Sequence, residues 1–175
     1  MDDGHAYGSK IVAGILLACE RISDAIILRE ILKRMEAPAN VAVRQNDGAP
    51  NIRAHFGEIA AAEKWRKIVV LLDGKEKRRM PEVDRTNLPQ GMAMCFLFLI
   101  KHLEKWIPTL LNDADAEQYS SMAKFKRRAA TWASHRLDDT KLRRSKTVMD
   151  IVKAVNCRIP SGSHFPADFP LRFQR

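Results

Sequence analysis

The chain lacks any apolar run long enough to cross a membrane: its two richest stretches, Ile11 to Cys19 and Gly91 to Ile100, are about half the needed length. The first ends in Leu-Leu-Ala-Cys, as a lipoprotein leader would. However, Asp2, Asp3 and a single Lys10 precede it where such a leader wants net positive charge. Cysteine is scarce. Cys19, Cys95 and Cys157 are odd in number and far apart, which argues against a disulfide framework and for free thiols in a reducing compartment. The five histidines, His5, His55, His102, His135 and His164, are scattered, with no HExxH and no Cys/His ligand spacing, so no metal site is expected. Neither a glycine-rich phosphate loop nor a GxSxG elbow occurs, and Asp113, Asp115 and Glu117 read as a helix start rather than acid–base machinery. No enzymatic activity and no cofactor are expected.

The most informative scarcity is local. Residues 119–158 contain only Asp138, Asp139 and Asp150 as acids, against eleven Lys and Arg. That segment therefore carries +8 of the chain's +9, whereas residues 1–118 balance 17 cations against 17 anions. Segregated positive charge is what a polyanionic partner requires.

What is present reads as helix. Residues 10–36 place Ile15, Cys19, Ile22 and Ile26 at three- and four-residue steps, and Pro38 ends the run. Residues 37–50 read as a loop in which Val41 and Val43 alternate as in a short strand. Residues 51–73 are read as helical because Ala60-Ala61-Ala62-Glu63-Lys64 precedes the ambiguous KIVVLL run, which also fits a strand. Residues 88–111 give the strongest core helix: Asn87 caps it, Pro89 suits its first turn, and Met92 to Ile100 is apolar all round. Pro108 bends or ends it, and Asn112, Asp113 and Asp115 open the next helix.

The basic segment sorts by face. Over 116–137, Tyr119, Met122, Phe125, Ala129, Trp132, Ala133 and Leu137 share an apolar arc. Lys124, Arg127, Arg128, Thr131 and His135 oppose it, with Lys126 and Arg136 at its margins. The tryptophans Trp65, Trp106 and Trp132 read as core. Over 140–157, Val148, Ile151, Val152 and Val155 oppose Arg143, Lys146 and Lys153, and Asp138-Asp139 caps the turn between the helices. A solvated face is the ordinary fate of such charge. Here Lys124, Lys126, Arg127 and Arg128, and then Lys141, Arg143, Arg144 and Lys146, crowd together and repel, and Arg143 and Arg144 fall early in a helix, where its dipole opposes cations. A use for the charge follows, and arginine suits bidentate phosphate contact.

The C-terminal residues 159–175 place Phe165, Phe169 and Phe173 four apart between prolines, an extended tail that clamps onto the domain or docks on a protein partner or a second copy. The sequence thus predicts a single all-α domain over 1–158, with five helices around the 88–111 helix, and a tail over 159–175. The expected function is non-enzymatic, sequence-nonspecific nucleic-acid binding, RNA or a nucleoprotein favoured, in the cytoplasm or nucleus. Its phosphate contacts are Lys124, Lys126, Arg127, Arg128, Arg136, Lys141, Arg143, Arg144, Lys146 and Lys153. The alternatives are a protein-interaction module working through the phenylalanine tail and a matrix-like protein on an anionic membrane.

Overall fold

Gly14–Cys19 forms a strand, β1, where the sequence pattern suggests a helix start. The structure, a computed structural model, describes residues 14–48, 65–73, 93–99 and 103–156. Within them the order is β1, α1 (Ile22–Arg34), β2 (Val41–Gln45), β3 (Trp65–Asp73), β4 (Ala93–Leu99), α2 (Leu103–Trp106), a 3₁₀ turn (Ile107–Leu110), α3 (Asp113–Met122), α4 (Lys126–Ser134), α5 (Asp139–Arg144) and α6 (Lys146–Asn156). The four strands make one sheet in the order β2-β1-β3-β4, and every pairing is parallel. The fold is therefore mixed α/β, not an all-α bundle. Within the described residues, the helix expected over 10–36 is a strand followed by a helix, the end of 51–73 is β3, and residues 93–99 and 103–110 of the supposed central helix at 88–111 are β4, α2 and the 3₁₀ turn. The physical reason is common to all three. A strand of a parallel sheet reads as a continuous apolar run, which is also how a fully buried helix reads.

Both faces of the sheet are covered. Leu17, Cys19, Val69 and Leu71 belong to the core shared with α1 and the C-terminal helices, and Val41 and Val43 of β2 pack against it. Leu16, Ala18, Ile68, Val70 and Leu72 alternate with these toward the opposite face and are equally buried. Edge strand β2 keeps the alternating pattern, with Ala42 and Arg44 exposed. Gly14 lies under the Trp65 ring, 3.0 Å from where a Cβ would stand. Helix α1 ends with Glu36 at φ 51°, while the Ala37 and Glu36 amides bond to the Leu32 and Lys33 carbonyls, so the chain turns sharply toward β2 just ahead of Pro38.

The C-terminal half is a set of short helices joined by explicit caps. Asn112 accepts from the Asp115 amide at 2.9 Å and opens α3. Asp138 accepts from the Lys141 amide at 2.9 Å and opens α5. Both starts agree with the sequence reading, but the two long helices expected at 116–137 and 140–157 are each broken, at 123–125 and at Ser145. Ala129, Ala130 and Ala133 are fully buried on the face of α4 that meets α1, so small side chains let the two helices approach closely.

Three cations brace the fold through backbone carbonyls, two of them between the sheet half and the C-terminal helices and one among those helices. Arg34 of α1 donates to the Leu137 carbonyl at 2.6 Å and the Ser134 carbonyl at 3.3 Å, and pairs with Glu30 and Asp139. Lys67 of β3, buried, donates to the Ala154 and Val155 carbonyls at 2.6 and 3.0 Å, at the C-terminal end of α6. Lys141 donates to the Leu111 carbonyl at 2.7 Å and pairs with Asp113. A cation at a helix C-terminus satisfies orphan carbonyls and complements the dipole.

Candidate nucleic-acid interface

The break at 123–125 rewrites the charge argument at its first turn. Helix α4 begins at Lys126, so Lys126, Arg127 and Arg128 occupy its first turn, with no acid among them and no side chain capping it at Phe125. Like charge at the positive end of a helix is unfavourable, and an anion there would be favoured. At α5 the reverse holds. Arg143 and Arg144 fall in the last turn of a six-residue helix, where the dipole welcomes them, so the penalty expected for them is absent. Lys146 opens α6 but pairs with Asp150 at 2.8 Å.

The ten expected phosphate contacts separate accordingly. Lys141 is drawn into Leu111 and Asp113, and Lys146 into Asp150. Arg136 lies over the Trp132 ring, its Cζ 4.4 Å from the centroid, and reaches Asp115 at 3.8 Å. Lys126 is exposed. Lys124 is also exposed, its Nζ 5.1 Å from the centroid of the Phe125 ring. Among the described residues, Arg127, Arg128, Arg143, Arg144 and Lys153 are exposed and make no side-chain hydrogen bond or ion pair. Phe165, Phe169 and Phe173 lie outside the described residues.

Arg127, Arg128, Thr131, Trp132, His135 and Arg136 line an open depression of ≈ 580 Å³. These residues come in adjacent pairs four apart, one stripe along α4. No residue of α5 or α6 lines it, while Arg143, Arg144 and Lys153 stand exposed on those two helices. Two aromatics change place as well. Phe125, expected in the core, is 54% exposed, because the helix break lifts it off the apolar arc. Trp132 packs against the core yet keeps enough exposed ring to wall the depression. Its visible signal was Arg136 four positions on, within stacking reach.

No family, no curated protein and no solved structure matches this chain. Its chemistry must therefore be read from the chain itself. Among the described residues no three His, Cys, Asp or Glu are grouped to hold a metal ion, and no helix is long and apolar enough to cross a membrane.

The sheet offers a second feature. Chain order reverses between β1 and β3, and at their C-terminal ends stand Cys19, then Glu20, and Asp73. Burial pushes the Cys19 thiol above its ordinary range, so it is a packed thiol and not a nucleophile. Asp24, one turn into α1, accepts from the Arg21 amide at 3.0 Å and from the Ser23 hydroxyl at 3.1 Å, and burial pushes its carboxyl up to about 6.

Proposed function

We propose that this protein binds nucleic acid non-enzymatically, gripping phosphates along the outer face of α4. The supporting observation is the first turn of that helix, which holds Lys126, Arg127 and Arg128 at the positive pole, contains no acid and has no capping side chain at Phe125. Phosphate contacts of this kind position a protein on its ligand without reading bases, so binding is sequence-nonspecific and steeply dependent on salt. RNA is the first ligand to try. The test is binding of short RNA and short duplex DNA at two salt concentrations, with Arg127→Glu/Arg128→Glu set beside Arg143→Glu/Arg144→Glu. The α4 pair is expected to lose roughly ten-fold or more and to flatten the salt dependence by about two charges, with a smaller loss for the α5 pair. No binding at low salt by the unaltered protein, or equal binding by the α4 pair, rejects this reading.

The strand order favours a second reading. In open parallel sheets, ligands sit beyond the C-terminal ends of the strands where chain order reverses. Here that end carries Glu20 and the buried Asp24, so a hydroxyl-rich ligand would suit it. Thermal shifts with nucleotides, repeated on Glu20→Gln, test it. No shift for the unaltered protein rejects it.

A further inference from the structure

We propose that the α4 depression is a stacking platform for single-stranded nucleic acid, with Trp132 and Phe125 each taking a base and Arg127 and Arg128 holding the phosphates between them. This deepens the phosphate-binding reading above and rests on it.

The aromatic surface is where a single strand needs it. Phe125 is 54% exposed and Trp132 walls the open depression, although exposed rings of this size are costly in water. Each ring also carries a cation on it: the Arg136 guanidinium 4.4 Å from the Trp132 centroid, and the Lys124 ammonium 5.1 Å from that of Phe125. The Arg136 plane is held in place by its bond to the Trp132 carbonyl at 3.3 Å and by Asp115. A base can stack on such a guanidinium plane as well as on a ring.

Spacing fits the same ligand. Phe125 immediately precedes α4 and Trp132 lies seven positions on, about 10 Å further along the helix axis at 1.5 Å per residue. That spans about three steps of a stacked strand at ~3.4 Å each. Arg127, Arg128 and Thr131, which line the depression with Trp132, fall between the two aromatics in sequence, and Phe125 stands just outside that lining. A duplex keeps its base faces inside the stack and offers these rings little, whereas every unpaired base has a free π-face. An anionic membrane would attract the same charge, but rings lying beneath cations are poorly placed to immerse in acyl chains.

The experiment measures binding of short fluorescent oligo(U) and oligo(dT), the matching duplex, and anionic phosphatidylserine vesicles, using the full chain and Phe125→Ala, Trp132→Ala and Trp132→Phe. Single strands are expected to bind about ten-fold tighter than duplex. Phe125→Ala and Trp132→Ala should each weaken single-strand binding roughly five- to a hundred-fold without changing the salt slope, since neither ring carries charge. Trp132→Phe should keep most of the affinity while abolishing the tryptophan fluorescence change on binding. Phe125 is exposed, so Phe125→Ala remains decisive if Trp132→Ala folds poorly. Equal single-strand and duplex binding, unaffected by Phe125→Ala, overturns the platform and leaves the phosphate reading intact. Capture by vesicles with no binding of any oligonucleotide overturns both.

Discussion

The sheet half and the helical half of this protein use the same residue types for opposite ends. In β3 and α1, Lys67 and Arg34 turn inward and spend their donors on backbone carbonyls of the other half. In α4 and α5, Arg127, Arg128, Arg143 and Arg144 turn outward and engage no described side chain. A charge total does not distinguish a cation that holds the fold from one that is available to a ligand. Only the second kind can contribute to binding, and among the described residues of the basic segment it comprises Arg127 and Arg128 on α4, Arg143 and Arg144 on α5 and Lys153 on α6.

That contrast can be broken most directly at Lys67. Lys67→Ala removes a buried side chain and leaves two carbonyls unpaired, and denaturant unfolding should show a loss of about 3–5 kcal/mol. Arg34→Ala, at a partly exposed site with neutral and charged partners, should cost roughly 2–3 kcal/mol in the same measurement. Asp24 sharpens the comparison from the acidic side. Its folded pKa of about 6 lies above the ordinary carboxyl value, so the native state holds the proton more tightly. Stability from this group is therefore fullest below about pH 4 and is lost as pH rises through 6. Asp24→Asn keeps an acceptor for the Arg21 amide and should remove that pH dependence, gaining about 1–2 kcal/mol at neutral pH. The smallest effect belongs to the outward cations: Arg143→Ala and Arg144→Ala should each change stability by less than about 0.5 kcal/mol. A large loss at either would mean that these arginines, too, hold the fold.

Local chemistry was readable from the sequence, and non-local chemistry was not. Asn112 and Asp138 cap α3 and α5 as their positions suggest, because a cap is decided within four residues. The strands were misjudged where the apolar run is continuous: GILLAC and AMCFLFL carry no period to choose between strand and helix. Val41 and Val43 did show the alternation of a strand, since β2 is an edge with one face open. The outward placement of Arg127 and Arg128 was visible on a helical wheel. The two breaks at 123–125 and Ser145 were not, and they moved the dipole penalty from Arg143 and Arg144 to the first turn of α4. Arg34 meets Ser134 a hundred positions away, a pairing that no pattern along the chain announces.

Lys67 also bears on how the molecule assembles. Its ammonium is buried, and its carbonyl partners lie 87 and 88 positions further along the chain. A sheet formed before α6 arrives would hold that charge without those two acceptors, and a helix formed before β3 would end in bare carbonyls. Each intermediate carries a penalty that the other half relieves, so sheet and helices should melt together in one cooperative transition. The outer face of α4 would then be presented only by a chain that has folded completely.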